Sequence, residues 1–127
     1  MPEYVLDASA LIALVNQEPG AEKVRPLMSH AIISAVNLCE TIQRLRRGGM
    51  PLEAVTLALT PLVSTAVPFD ESLAYVAASL HERTWKHGLS FGDCACLALA
   101  LSRKVPAVTT DREWTKLDVG VEVIPMR

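Results

Sequence analysis

The sequence lacks an excess of basic charge. Its 127 residues carry 12 Lys and Arg against 14 Asp and Glu, a formal net charge of −2. A domain that holds duplex DNA through bulk electrostatics is normally basic, so any contact with nucleic acid has to be local. Aromatic residues are scarce too, with two each of Trp, Tyr and Phe, which argues against a base-stacking platform of the RRM or OB type. There are three cysteines, Cys39, Cys94 and Cys96, and no C-x-x-C. Neither a disulfide framework nor a zinc site is suggested, and these thiols read as small buried groups in a reducing compartment. The longest uncharged stretch, Ala54–Phe69, is interrupted by Pro61 and Pro68 and falls short of the roughly 20 apolar residues that span a bilayer. The opening MPEYVLDASALIALV has no basic segment and an aspartate inside its apolar run, unlike a signal peptide. The expectation is a soluble cytoplasmic protein that makes no use of a membrane.

What is present is enough apolar material for one core. Hydrophobic residues make up 50% of the chain, and a chain of this length buries roughly 65–70% of its unfolded surface without staples. No repeat or linker divides it, so residues 1–127 read as one domain. Short β-like runs alternate with helical ones. Tyr4–Leu6 ends at Asp7, and Ala8–Val15 then reads helical until Glu18-Pro19-Gly20 breaks it. Ala21–Met28 reads as a short helix bent or ended by Pro26. Ala31–Ile33 is β-like, and Ser34 caps a helix over Ala35–Arg47 that Gly48-Gly49 closes. Pro51–Leu62 is the next helix and Thr65–Phe69 the next strand. Asp70 caps a long helix, Glu71–His87, with an apolar stripe of Leu73, Val76, Ala77 and Leu80. Ser90 caps a helix through Cys94–Leu101 that is apolar on every side, as a helix buried on both faces must be. Ala107–Thr109 and Val121–Ile124 read as strands around a short helix, Asp111–Leu117. Strands separated by helices imply parallel crossovers. The fold class is α/β, three-layered, with a central parallel sheet flanked by helices.

In such folds ligands gather outside the C-terminal ends of the strands, and acids recur there. Asp7 ends the first strand, Glu40 lies two turns into the helix after the second, Asp93 opens the all-apolar helix, and Asp111 follows the late strand. Each has a purely structural explanation. Asp7 or Ser9 can cap a helix, Ser90-x-x-Asp93 and Thr110-x-x-Glu113 fit capping boxes, and Asp111 then sits in a first turn that favours anions. Glu40 is four residues before Arg44, the favourable order for an ion pair, on a polar face shared with Asn37, Arg44 and Arg47. If the acids converge instead, repulsion is severe: two unit charges about 4 Å apart cost about 4 kcal/mol at an effective dielectric of about 20. Such a cluster needs a cation or shared protons. Oxygen-only ligands select Mg2+ or Mn2+, ions suited to phosphodiester hydrolysis.

The segments D-A-S at Asp7–Ser9, S-A-V-N-L-C-E at Ser34–Glu40, G-L-S-F-G-D at Gly88–Asp93 and T-T-D-R-E-W at Thr109–Trp114 resemble those of PIN-domain ribonucleases, and within them the VapC toxins of toxin–antitoxin pairs. E-P-G at Glu18–Gly20 and V-P-F-D at Val67–Asp70 resemble that subgroup as well. The resemblance covers essentially the whole chain. It implies a PIN-like fold and a Mg2+- or Mn2+-dependent endoribonuclease acting on single-stranded or looped tRNA, rRNA or mRNA. It implies catalytic roles for Asp7, Glu40, Asp93 and Asp111, with Asp7 and Asp93 as the core metal ligands. It also implies hydroxyls at Ser9 and Thr110 that hydrogen-bond around the site, a cognate antitoxin protein as partner, and a homodimer.

Arg44, Arg47, Arg112 and Lys116 are candidate phosphate contacts beside the acids or ordinary solvated charges. His87, next to Gly88, suits a helix C-terminus, and Trp85 and Trp114 read as packing residues. A response-regulator receiver would need adjacent acids after the first strand and a lysine after a late one, and a D-x-D phosphatase is excluded by Ser9. A non-catalytic PIN-like module that binds RNA or protein is the alternative reading. An uncharged run from Thr56 to Phe69 supports an interaction surface in either case.

Overall fold

The computed structural model describes residues 3–127. Five short strands form one sheet: β1 (Tyr4–Leu6), β2 (Ala31–Ser34), β3 (Ala66–Val67), β4 (Ala107–Thr109) and β5 (Val123–Pro125). Their order across the sheet is β3-β2-β1-β4-β5, with every pair parallel. Parallel strands require crossovers, and six α-helices among the described residues supply those from β1 to β4: α1 (Ala8–Asn16), α2 (Ala21–Val24), α3 (Ala35–Arg47), α4 (Leu52–Leu59), α5 (Glu71–Thr84) and α6 (Phe91–Arg103), while a 3-10 segment lies between β4 and β5.

Both faces of the sheet are covered, and the period of two along each strand assigns the residues. Val5, Ile32 and Ala107 face a core made with α5 and α6, through Leu80, Leu97 and Leu99. Their neighbours Leu6, Ile33 and Val108 face a second core made with α1 to α4, through Leu11, Val24, Leu45 and Val55. Cys94 to Ala100 of α6 are all buried, as the unbroken apolar run predicts. No helix among the described residues is long and apolar enough to cross a membrane.

Several boundaries differ from the sequence expectation, each for a local reason. Pro26 ends α2 at Val24 and starts a 3-10 segment, Arg25–His30. The helix expected over Pro51–Leu62 stops at Leu59, and the segment around Pro61 is a turn. The strand expected over Thr65–Phe69 shrinks to Ala66–Val67, at the sheet edge with pairing on one side only. The last turn before Gly88 tightens to 3-10 geometry over Trp85–His87. The short helix after β4 is likewise 3-10, Arg112–Lys116, and β5 starts at Val123 rather than Val121. Trp114 is buried as expected, but Trp85 is exposed.

Candidate active site

The C-terminal ends of β1 and β4 lie side by side, and Asp7 continues the ladder by donating its N–H to Val108 O at 2.9 Å. Asp7 occupies the N-cap position of α1, yet its side chain makes no cap hydrogen bond. Its Oδ2 instead accepts from Ser9 Oγ at 2.7 Å and from Thr109 Oγ1 at 2.9 Å. Both hydroxyls are fed from behind: Thr110 N donates to Ser9 Oγ and Asp111 N to Thr109 Oγ1, each at 3.0 Å. Two backbone N–H groups thus polarise two hydroxyls toward one carboxylate oxygen. The second hydroxyl is that of Thr109, not Thr110, which contributes its backbone N–H. The carboxyl is only 5% exposed. Its pKa is raised from 3.8 to about 6, first by burial and to a smaller extent by the nearby charges of Asp93 and Glu40, against the lowering effect of the two hydroxyls.

Asp93 is half-buried in the first turn of α6 and closes a capping box. Its Oδ2 accepts from Ser90 N at 2.9 Å while Ser90 Oγ accepts from Asp93 N at 3.2 Å. Asp111 is exposed and is itself the N-cap of the 3-10 segment, its Oδ1 accepting from Glu113 N at 3.0 Å. The capping box expected from Thr110 and Glu113 is replaced by this one-residue shift. Asp93 and Asp111 line a common recess of about 130 Å³ with His87 and Lys116. His87 therefore borders the acids, a placement the sequence reading gave only as a helix end.

Glu40, on α3, pairs with Arg44 through Oε2 at 3.1 Å and accepts from Asn37 Nδ2 through Oε1 at 3.2 Å. Asn37 is fully buried rather than part of a solvated polar face, because this part of α3 meets the start of α6: its Nδ2 also donates to Gly92 O at 2.9 Å. Beneath the acids, the thiol of Cys96 is held well above its ordinary pKa by burial first, then by the charges of Asp7, Asp93 and Glu40. The charges of Glu40 and Asp93 thus act on Asp7, and all three acids act on the Cys96 thiol, while Asp111 connects to Asp93 through the recess and to Asp7 through Thr109. Arg44 is tied to Glu40 and Lys116 to Glu113 at 3.0 Å, so two of the four candidate phosphate cations already have carboxylate partners.

Among the described residues no three His, Cys, Asp or Glu side chains stand in an arrangement that could hold a metal ion. The donor chemistry nonetheless fits a smaller demand. Hydrogen bonds among the described residues engage Oδ2 of Asp7 and Oδ2 of Asp93, leaving Oδ1 of each without one. Mg2+ is commonly held by one or two carboxylates with the rest of its shell supplied by water and substrate phosphate.

Fold and site together define a three-layer α/β domain with carboxylates gathered at the C-terminal edge of a parallel sheet. The chain belongs to the PIN domain family, whose model matches residues 4–120. No curated protein sequence matches it significantly. Its fold is that of a chain in DNA-bound VapBC from Salmonella typhimurium, at a TM-score of 0.78 and 18% identity over 100% of both chains. FitAcB from Neisseria gonorrhoeae gives 0.70 at 19% identity over 97% of each chain. Mycobacterium tuberculosis VapC20, described as a sarcin–ricin loop cleaving toxin, gives 0.70 at 22% identity, covering 94% of this chain and 99% of its own.

Proposed function

We propose that this chain is a VapC-type toxin, a Mg2+- or Mn2+-dependent endoribonuclease restrained by a cognate antitoxin. The observation that carries the reading is Asp7: a carboxyl 5% exposed, excused from helix capping, and set facing two further acids that raise its pKa. A carboxylate in that setting is unfavourable for the fold without a cation. Ser9 and Thr109 fix its Oδ2, so Oδ1 is the ligand atom it offers, and Asp93 offers Oδ1 likewise. Glu40, oriented by Asn37 and Arg44, would accept the proton of the attacking water, and Asp111 stands at the rim. A bound divalent cation supplies a water of lowered pKa and offsets charge on the phosphate and leaving oxygen. The substrate class, as the family resemblance implies, is single-stranded or looped RNA.

The test is cleavage of tRNA, rRNA and mRNA fragments with Mn2+ or Mg2+ and with EDTA, together with analysis of the ends. Hydrolysis leaves 5′-phosphate and 3′-hydroxyl ends. Undiminished cleavage in EDTA, or 2′,3′-cyclic ends, would transfer the chemistry to a base such as His87 and defeat the reading. The alternative, a non-catalytic PIN-like binding module, draws support from the lack of a three-ligand arrangement among the described residues. It requires that Mn2+ give no thermal shift in the wild type.

The partner surface we propose lies between α3 and α4. Leu52 and Leu57 of α4 are 54% and 77% exposed, and a groove of about 310 Å³ between α3 and α4 is lined by Leu38, Ile42, Val55, Leu59 and Val63. Exposed apolar surface of this kind marks an interaction site, and it accommodates an amphipathic antitoxin segment. An arginine in the antitoxin's tail, paired with the acids in the cation's place, would account for inhibition. Light scattering with and without the neighbouring gene's product tests this and the expected homodimer.

A further inference from the structure

We propose that Asn37 and Gly92 are positioning residues that together set the Glu40 carboxylate, an inference resting on the ribonuclease reading above. Asn37 donates one side-chain amide to two acceptors, Gly92 O at 2.9 Å and Glu40 Oε1 at 3.2 Å. Both partners accept only, so the nitrogen must face them. Its own Oδ1 is a buried polar atom with no partner among the described residues. A buried amide left half-satisfied is unfavourable for the fold, which offsets what the bond to Gly92 O contributes to stability.

Gly92 supports the same conclusion independently. It lies within α6, where alanine is the better helix former, and its φ is not in the left-handed region, so the backbone does not call for glycine. A Cβ at this position would meet Glu40 Oε1 at 2.7 Å, Cδ at 3.1 Å and Oε2 at 3.2 Å. Glutamate is flexible at that end, so an added methyl would displace the carboxylate and leave the helix in place. The missing Cβ on one side and the Asn37 amide on another define a seat for Glu40, one residue before Asp93. Misplacing a reacting group by about 1 Å can cost about a hundredfold in rate, which is why such a seat matters to the reaction and not to folding.

The test uses the full chain, Gly92→Ala and Asn37→Leu, and three readouts. These are single-turnover cleavage with Mn2+, the melting temperature, and the Asn37 side-chain amide signal by NMR in metal-free protein. Gly92→Ala is expected to melt no lower than wild type, to lose about tenfold or more in kcat with KM nearly unchanged, and to shift the Asn37 amide signal. Adding Gly92→Ala to Glu40→Ala should leave the melting temperature equal to or above that of Glu40→Ala alone. A Gly92→Ala protein with kcat within about twofold of wild type, or with an unmoved Asn37 signal, overturns the proposal. Should Asn37→Leu fail to fold, Gly92→Ala decides it. A wild type that cleaves no RNA defeats the ribonuclease reading instead, and the seat is then decided by the Glu40 side-chain carboxyl signal, which Gly92→Ala should move and which, if unmoved, overturns the proposal.

Discussion

At the start of α6, Asp93 folds its carboxylate back onto Ser90 N and completes a reciprocal cap. At the start of α1, Asp7 stands at the N-cap itself and its side chain caps nothing. Its carboxylate turns the other way, toward hydroxyls on its own helix and on β4. One acid is half-exposed and helps the helix it opens. The other is buried and carries a desolvation cost with no capping return. An acid with a structural occupation tells little about function from its position alone, whereas an acid without one, held at an energetic disadvantage, points to a ligand.

The contrast can be broken by substitution, and the largest effect should come from Asp7→Asn. Removing the ligand charge should lower metal-dependent cleavage by about a thousandfold. The same change relieves the burial of charge, so the metal-free variant should melt above wild type at pH 8. A variant that is inactive and less stable would mean the carboxylate was holding the fold together.

The next effect is in the pH dependence of the metal-free wild type. The Asp7 pKa is about 6 folded against an ordinary 3.8, so between those values the folded state binds more protons than the unfolded. Stability from this group is therefore fully present below about pH 4 and lost as pH rises through 6. The shift corresponds to about 3 kcal/mol. Denaturant melts across that window should show the decline in wild type and lack it in Asp7→Asn, and Mn2+ should restore stability above pH 6.

Asp93→Asn should lower cleavage by about a hundredfold while changing stability by less than about 1 kcal/mol, because the amide oxygen still accepts from Ser90 N. If it unfolds the protein instead, with activity per folded molecule intact, capping is the whole role of Asp93. The smallest effect belongs to Ser90→Ala, which removes only the cap and should cost about 1 kcal/mol in a denaturant melt with cleavage nearly unchanged.

The parts of the molecule legible in the sequence are those where one local signal dominates. Ser34, Asp70 and Ser90 announce α3, α5 and α6, and each does accept a backbone hydrogen bond there. The buried helix α6 follows from its unbroken apolar run. The illegible parts depend on what lies opposite. A polar residue three before Glu40 reads as solvated, and only the docking of α3 on α6 reveals that Asn37 is enclosed. Gly92 looks like any helical glycine until the Glu40 carboxylate is placed against it. The choice of Thr109 over Thr110 turns on which side chain of a strand end faces β1, and a run of two threonines does not disclose that. His87 reaches the acids only through the turn that Gly88 makes, at φ +78.

The strand order has a consequence in time. β1 is made first and ends up in the middle, between β2 and β4, and the hydroxyl that completes the surroundings of Asp7 comes from Thr109, 102 residues downstream. On a ribosome adding about 5–20 residues per second, several seconds separate the synthesis of Asp7 from that of the strand that pairs beside it. For the later part of that interval Glu40 can already lie near Asp7, but Asp93, Thr109 and Asp111 are missing or undocked. The growing chain is thus incompetent for chemistry until almost all of it has emerged. On the toxin reading proposed above, such an enzyme would reach its active form only after nearly the whole chain has been made, while the exposed apolar residues Leu52 and Leu57 of α4 are synthesised well before the centre of the sheet closes.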